Sequence, residues 1–309
     1  MNIEAIRSQF PILYQILDQE WLQKNDWVEE FINRRIPWYQ LLENDLTILN
    51  NHVSFDKLKS CYRDSLRDRP QIQKMIFEIH GSALLAKTAV NVDLHIPKRN
   101  GSVKNFDISV VIKGHRLNAE SKTRKDEFPF NLPSESPDLT GVKYYGGSRT
   151  TVDKHDADEL GINVTPATIK TPESTVIRQI LLDGLQQLPE SGCNMIIFGQ
   201  IEGRRENVMD ALWGTPILEF CRGSSDSEWK RMPTGAFDAG KAGESFRSLS
   251  CVLWISLKLD HDYMNNVDII RRDYTIFPNP NALNPIHDDV VNIIVNLIEQ
   301  MRIPTGKKD

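Results

Sequence analysis

The spacing of apolar residues along the chain changes period several times, and each change marks an element. From Ile3 to Leu66 it is helical, through Phe10, Leu13, Ile16 and Leu17 and then Trp27, Phe31 and Ile32, with breaks at Pro11 and Pro37. This predicts a helical N-terminal region over 1–66. A further helix is predicted from Pro70 to Ala89, with Ile72, Met75, Ile76, Ile79, Ala83 and Ala86 in one stripe and Glu78 beside it. The period then drops to two in VNVDLHIP. After the turn pair Asn100-Gly101 comes NFDISVVIKGHRLNAESKTRK, Asn105 to Lys125, which reads as two strands joined across Lys113-Gly114.

Beyond Lys125, DEFPFNLPSESPDLTGVKYYGGSRT is rich in Pro, Gly and Ser and predicts a loop, long enough to cover a cleft. Thr171-Pro172 supplies an N-cap and a first-turn proline for a helix carrying Val176, Ile177, Ile180, Leu181, Leu185 and Leu188 and ending at Pro189. CNMIIFGQ follows as a short apolar run, the pattern of a strand buried on both faces in mid-sheet. The order from Pro70 is therefore α-β-β-β-α-β. SLSCVLWISLKL and IIRRDYTIF predict a strand pair, NPNALNP an extended turn, and Asp288 to Arg302 a last helix. Asp288 and Asp289 suit its positive end, and Val290, Ile293, Ile294, Leu297, Ile298 and Met301 form its buried face. The fold class is α/β, a mixed sheet flanked by helices.

The 105–125 hairpin raises a chemical question, because each strand carries a carboxylate. Any loop symmetric about Lys113-Gly114 pairs Ile112 with His115 and sets Asp107 opposite Glu120. Opposed residues have Cβ atoms roughly 5 Å apart, where like charges destabilise unless a cation neutralises them. Lys122, two residues past Glu120, shares its face, while Ser121 points away. Asn-Gly or Asp-Gly suits a two-residue turn better than Lys-Gly, so a longer loop is also open.

At 309 residues and 40% hydrophobic, the chain can bury a full core, as one large domain with additions or as two. No apolar run reaches the roughly 18 residues of a membrane span, and MNIEAIRSQF lacks the layout of a signal peptide, so a soluble, cytoplasmic protein is expected. Cys61, Cys193, Cys221 and Cys251 are far apart, which indicates neither a zinc ribbon nor a disulfide framework. The net charge of −5 argues against bulk attraction to a polyanion. Locally the balance reverses, since Lys104, Lys113, Arg116, Lys122, Arg124 and Lys125 face only Asp107 and Glu120. With a divalent cation on the two carboxylates, the hairpin becomes a positive island where a phosphate backbone docks, with Lys104, Arg116, Arg124 and Lys125 as its contacts. The plainer reading is an exposed hairpin with solvated Lys and Arg.

Asp107 and then Glu120-Ser121-Lys122 stand on consecutive strands, between a Glu-bearing helix and a helix followed by a buried strand. In this the stretch from Pro70 to Gln200 resembles the PD-(D/E)xK nuclease superfamily. The resemblance implies a restriction-endonuclease-like core within 67–309 and a metal-dependent nuclease acting on nucleic acid, DNA above all. It also implies Mg²⁺ or Mn²⁺ on Asp107 and Glu120, with Glu78 as a further ligand, and Lys122 serving the attacking water or the phosphate charge. Phe106 stands where the superfamily's nominal proline would be. The chemistry is consistent in itself, because Mg²⁺ needs only one or two protein carboxylates to activate water and clamp phosphate oxygens. A nuclease must be restrained, and the chain has no evident ATPase or sequence-reading motif. A regulatory or targeting partner protein is therefore expected, as in a phage-defence or restriction system. The competing expectation is a catalytically silent nuclease-fold scaffold or nucleic-acid-binding module, with the N-terminal helices as partner surface.

Other signals weigh less. GAFDAGKAG, Gly235 to Gly243, nearly spells a P-loop, but Ala242 replaces the Mg²⁺-binding Ser or Thr and no apolar strand precedes it. It predicts a flexible loop and no nucleotide cofactor. His287-Asp288-Asp289 suits helix capping better than metal binding. Gln179 and Gln186 lie on the helix after the motif, near a site or simply solvated. Arg204-Arg205, Lys230-Arg231 and Arg271-Arg272 are either phosphate contacts or solvated pairs.

Overall fold

The structure, a computed structural model, describes residues 3–25, 36–68, 71–95, 106–124, 173–201, 203–220, 227–262 and 267–302. The N-terminal helices are α1 (Ile3–Gln9), α2 (Pro11–Leu17), α3 (Gln19–Lys24), α4 (Ile36–Asn50) and α5 (Phe55–Arg67). Pro11 and Pro37 start helices, at the first position of α2 and the second of α4, where their missing N–H costs nothing. The expected apolar positions Trp27, Phe31 and Ile32 lie outside the described residues. The predicted helix follows as α6 (Ile72–Ala86), its whole apolar stripe buried.

Next come β1 (Asn91–Leu94), β2 (Ile108–Ile112), β3 (His115–Thr123), α7 (Glu173–Leu185) and β4 (Cys193–Ile201), which realise the α-β-β-β-α-β order. After α8 (Arg205–Trp213) and the small hairpin of β5 (Pro216–Phe220) and β6 (Ser227–Arg231), the one-turn α9 (Lys241–Glu244) leads to β7 (Cys251–Asp262), β8 (Val267–Pro278) and α10 (Asp288–Arg302). The main sheet is open, mixed and six-stranded, in the order β1-β2-β3-β4-β7-β8. β1–β2, β2–β3 and β7–β8 are antiparallel, whereas β3–β4 and β4–β7 are parallel. A parallel step needs a crossover, and α7 lies in the one between β3 and β4. As expected, β4 is central and buried on both faces.

Helices cover both faces. On one side α6 packs against β4 so closely that a Cβ on Gly81 would stand 2.6 Å from Ile197 Cγ2, and one on Gly199 would overlap the Phe77 ring. On the other, a Cβ on Gly184 of α7 would meet Ile196 and Lys122. The α6 side continues into the N-terminal helices as a single core from Ile6 to Ile298, while Ile177, Leu181, Ile196, Phe198, Val208 and Trp254 belong to a second core on the α7 side.

Two buried acids fasten α4. Glu43 accepts from Ile12 N at 2.8 Å and Leu13 N at 2.9 Å, capping α2 where the helix offers free donors. Asp45 binds both His80 of α6 and Arg272 of β8. Arg272 is therefore an internal counter-ion, and the reading of Arg271-Arg272 as a phosphate contact or a solvated pair is corrected for it. Arg231 likewise holds Gly214 O at 2.6 Å and Asp210 at 3.3 Å, while Arg204 and Arg205 are exposed.

Gly235 to Gly243 is packed rather than loose, since Ala236 N and Phe237 N donate to Ala211 O and Leu212 O at 2.9 and 2.6 Å. His287 Nδ1 accepts from Asp289 N at 3.3 Å at the start of α10, the capping role expected of it, and its ring stacks on His115 at 4.3 Å. α8, β5 and β6 are short elements that the apolar pattern does not announce. Cys61 and Cys251 are buried thiols, Cys193 is half-buried, and Cys221 lies outside the described residues. Among the described residues no helix is long and apolar enough to cross a membrane.

Candidate active site

The hairpin has the register its symmetry demands. Ile112 pairs with His115 and Ile108 with Ala119, so Asp107, the residue before β2, stands level with Glu120. The connection is the tighter alternative, two residues, with Lys113 at φ 51° and Gly114 at φ 82°. Both lie in the left-handed region, as a type I′ turn requires, and Lys113 bears a cost of about 1 kcal/mol for it.

Pairing with β2 stops at Ala119, whereas pairing with β4 continues to Thr123↔Gly199. From Glu120 onward β3 therefore runs past β2, which leaves a notch in the strand pairing at the C-terminal end of β3. Asp107 turns into this notch, and its Oδ2 accepts from Ser121 N at 2.7 Å, taking the place of a ladder bond. Phe106, in the nominal proline position, packs on the His95 ring at 4.6 Å.

Glu120 is 0% exposed. Its Oε1 accepts from Lys122 Nζ at 2.7 Å, which puts both side chains on the α7 face as the strand period requires. Gln187, just beyond α7, bridges the pair. With its amide oriented to satisfy both partners, it donates to Glu120 Oε1 at 2.9 Å and accepts from Lys122 Nζ at 2.6 Å. Among the described residues, Glu120 Oε2 is buried without a hydrogen-bond partner. Gln187 is the polar helix residue of the site; Gln179 pairs with Asp183 at 2.9 Å and Gln186 is solvated.

Glu78 is buried on α6, the layer opposite α7. Burial first, and the charge of Asp107 second, hold its carboxyl well above the usual range, against the pull of Lys74. Burial also raises Asp107, although Lys74, the Ser121 N–H and Lys122 oppose it. Glu120 is pushed up to about 8 by burial and by Asp107, against Lys122 and Lys74. Three carboxyls in one low-dielectric place thus resist ionising together, and each is held above its ordinary range. Lys74 is a member that the sequence reading missed. Burial works against its charge, yet the carboxylates of Asp107, Glu78 and Glu120 hold its pKa above the ordinary lysine value. The available signal was its i, i+4 spacing to Glu78.

The donor set fits a hard divalent cation, being all carboxylate oxygen with one buried oxygen left over on Glu120. As the side chains stand, Lys122 occupies the other Glu120 oxygen, and among the described residues no three His, Cys, Asp or Glu groups are gathered closely enough to hold a metal. Of the expected nucleic-acid contacts, Arg116 is exposed and donates to Ser109 Oγ at 3.2 Å, while Arg124 is ion-paired to Glu173 of α7. Lys104 and Lys125, the Asn100-Gly101 turn, the loop after Lys125 and the Thr171-Pro172 cap lie outside the described residues. Compared with models of protein families, with curated proteins and with solved structures, the chain matches none.

Proposed function

We propose that the chain is a metal-dependent nuclease hydrolysing phosphodiester bonds, with DNA as its substrate and a PD-(D/E)xK-type core as its fold. One observation carries the reading. Two buried carboxyls, Glu78 and Glu120, the half-buried Asp107, and two lysines, Lys74 and Lys122, converge on a notch beside a central strand, in the α-β-β-β-α-β order that the resemblance implies. Structural ion pairs do not call for mutually repelling acids in one dry place, whereas a divalent cation bound among them relieves the repulsion.

Asp107 and Glu120 would hold Mg²⁺ or Mn²⁺, with Glu78 as a further ligand. The bound cation lowers the pKa of a water and neutralises charge on the phosphate. The chain's own residues supply the rest. The Ser121 N–H fixes the Asp107 carboxylate, Gln187 fixes Glu120, and Lys122 places a compact positive charge beside the reacting phosphate, where charge grows most in the transition state. The reading includes a partner protein that gates or targets the activity, as in restriction or phage-defence systems.

A second reading is favoured by the Lys122–Glu120 contact and the loosely gathered acids, which would suit a silent scaffold that binds nucleic acid through a partner. Incubation with circular DNA, linear DNA and RNA, in Mg²⁺, Mn²⁺ or EDTA, separates the two. Metal-dependent cleavage that Glu120→Gln abolishes supports the nuclease. Metal-independent binding with no cleavage, unchanged in Glu120→Gln, supports the scaffold.

A further inference from the structure

Lys74 precedes Glu78 by four residues on α6, so the two side chains share one face about 6 Å apart along the axis. The packing of α6 fixes which way that turn leads. Gly81 lies against Ile197 and, one turn earlier, Phe77 lies against Gly199, so moving toward the start of α6 means moving toward the C-terminal ends of β3 and β4. Lys74 therefore stands on the outward side of Glu78, at the mouth of the notch, where it is half-buried.

The two lysines are not equivalent. Lys122 is bonded to Glu120 and Gln187, whereas among the described residues no hydrogen bond or ion pair engages the Lys74 ammonium. Formal charge separates them as well. A divalent cation and Lys122 together balance the three carboxylates, which leaves nothing over for the single negative charge of a phosphodiester. Lys74 supplies that excess at the entrance.

We propose that Lys74 is a phosphate-binding residue, which takes a non-bridging oxygen of the nucleic-acid backbone at the mouth of the notch and seats the strand before the scissile phosphate reaches Lys122. The inference rests on the nuclease reading and adds to it a second, separately measurable cation.

The test compares wild type, Lys74→Gln and Lys74→Arg by fluorescence anisotropy on a short DNA duplex across a salt series in Ca²⁺, and by calorimetry with Mn²⁺ alone. For Lys74→Gln, binding to DNA should weaken roughly 5- to 10-fold, and the slope of log K against log salt should shrink by about 0.9, one phosphate contact. Mn²⁺ alone should bind Lys74→Gln more tightly, because a repelling charge has gone from beside the carboxylates. A damaged fold cannot move those two affinities in opposite directions. Lys74→Arg should restore the slope. An unchanged salt slope in Lys74→Gln, or DNA and Mn²⁺ binding that weaken together, overturns the assignment while leaving a cleaving wild type as a nuclease. A wild type that neither binds nor cleaves DNA overturns both.

Discussion

Lys122 Nζ lies 2.7 Å from Glu120 Oε1, while the second oxygen of that carboxylate is buried and, among the described residues, unpartnered. One lysine thus holds the proposed metal ligand in place and, from the same position, faces the proposed phosphate. Lys122→Ala should lower cleavage roughly 100- to 1,000-fold, the usual cost of losing one transition-state charge. It should leave Mn²⁺ affinity intact or improved, since a competing cation has left Glu120. Cleavage assays and calorimetry on the same preparation check both halves, and equal cleavage by wild type and variant would remove Lys122 from the mechanism.

A cation that binds only the folded notch must raise stability by mass action, about 2.7 kcal/mol at 100 times its Kd. Mg²⁺ or Mn²⁺ should therefore raise the wild-type Tm by several degrees. Asp107→Ala should abolish the gain, and Glu78→Gln should reduce it if Glu78 is a ligand. Differential scanning fluorimetry measures this directly, and a wild type with no shift at saturating metal counts against the site.

The pH dependence of the metal-free protein has a definite sign. Glu120 titrates near 4.5 when unfolded and about 8 when folded, so between these values the folded state keeps a proton that the unfolded state has lost. Its contribution to stability is fully present below about 4.5, falls as pH rises, and is exhausted above about 8, with a slope of at most about 1.4 kcal/mol per pH unit. Burial lowers the pKa of His80, which acts in the opposite sense below its ordinary range. The clean observable is therefore wild type against Glu120→Gln. In EDTA the wild type should lose more Tm than the variant between pH 5.5 and 8, and Mg²⁺ should stabilise wild type most at pH 8.

Lys113 holds φ 51° in a turn that favours asparagine. Lys113→Asn should stabilise the fold by about 0.5–1 kcal/mol without altering cleavage, as measured by chemical denaturation. A loss of stability would show that the Lys113 side chain contributes more than its backbone strain costs.

Asp45 and His80 are buried, and both are bonded to the part-buried Arg272. Asp45→Ala leaves Arg272 without its counter-ion and should cost about 3–5 kcal/mol. A drop of less than about 1 kcal/mol in denaturation would mean that water replaces the lost partner.

The pairing of Asp107 with Glu120 was legible in the sequence because a strand period of two carries position arithmetic outward from a turn without accumulating error. Lys122 followed from the same period, and α6, β4 and α10 from long apolar stripes. The members contributed by helices were harder to read. Gln187 rather than Gln186 enters the site because the chain has left helical rotation after Leu185, so a helical wheel no longer says which of two adjacent glutamines turns inward. Lys74 needed the sliding position of α6 over β4, which Phe77 and Gly199 decide and no local pattern encodes. Arg272 reads as a solvated charge because it sits between Arg271 and Asp273, and only the docking of α4 against β8 brings it its buried partner Asp45. α8 is nine residues long and β5 and β6 are five each, too short for a period to declare itself.

The contact between Phe77 and Gly199 divides the notch mechanically. Glu78 and Lys74 ride on a helix whose height is set by a missing side chain, whereas Asp107, Glu120 and Lys122 belong to the hairpin beneath. A methyl group at position 199 would act as a wedge, lifting the first pair relative to the second group without altering a single charge. The distance between the two halves of the site thus depends on a residue that takes no part in its chemistry.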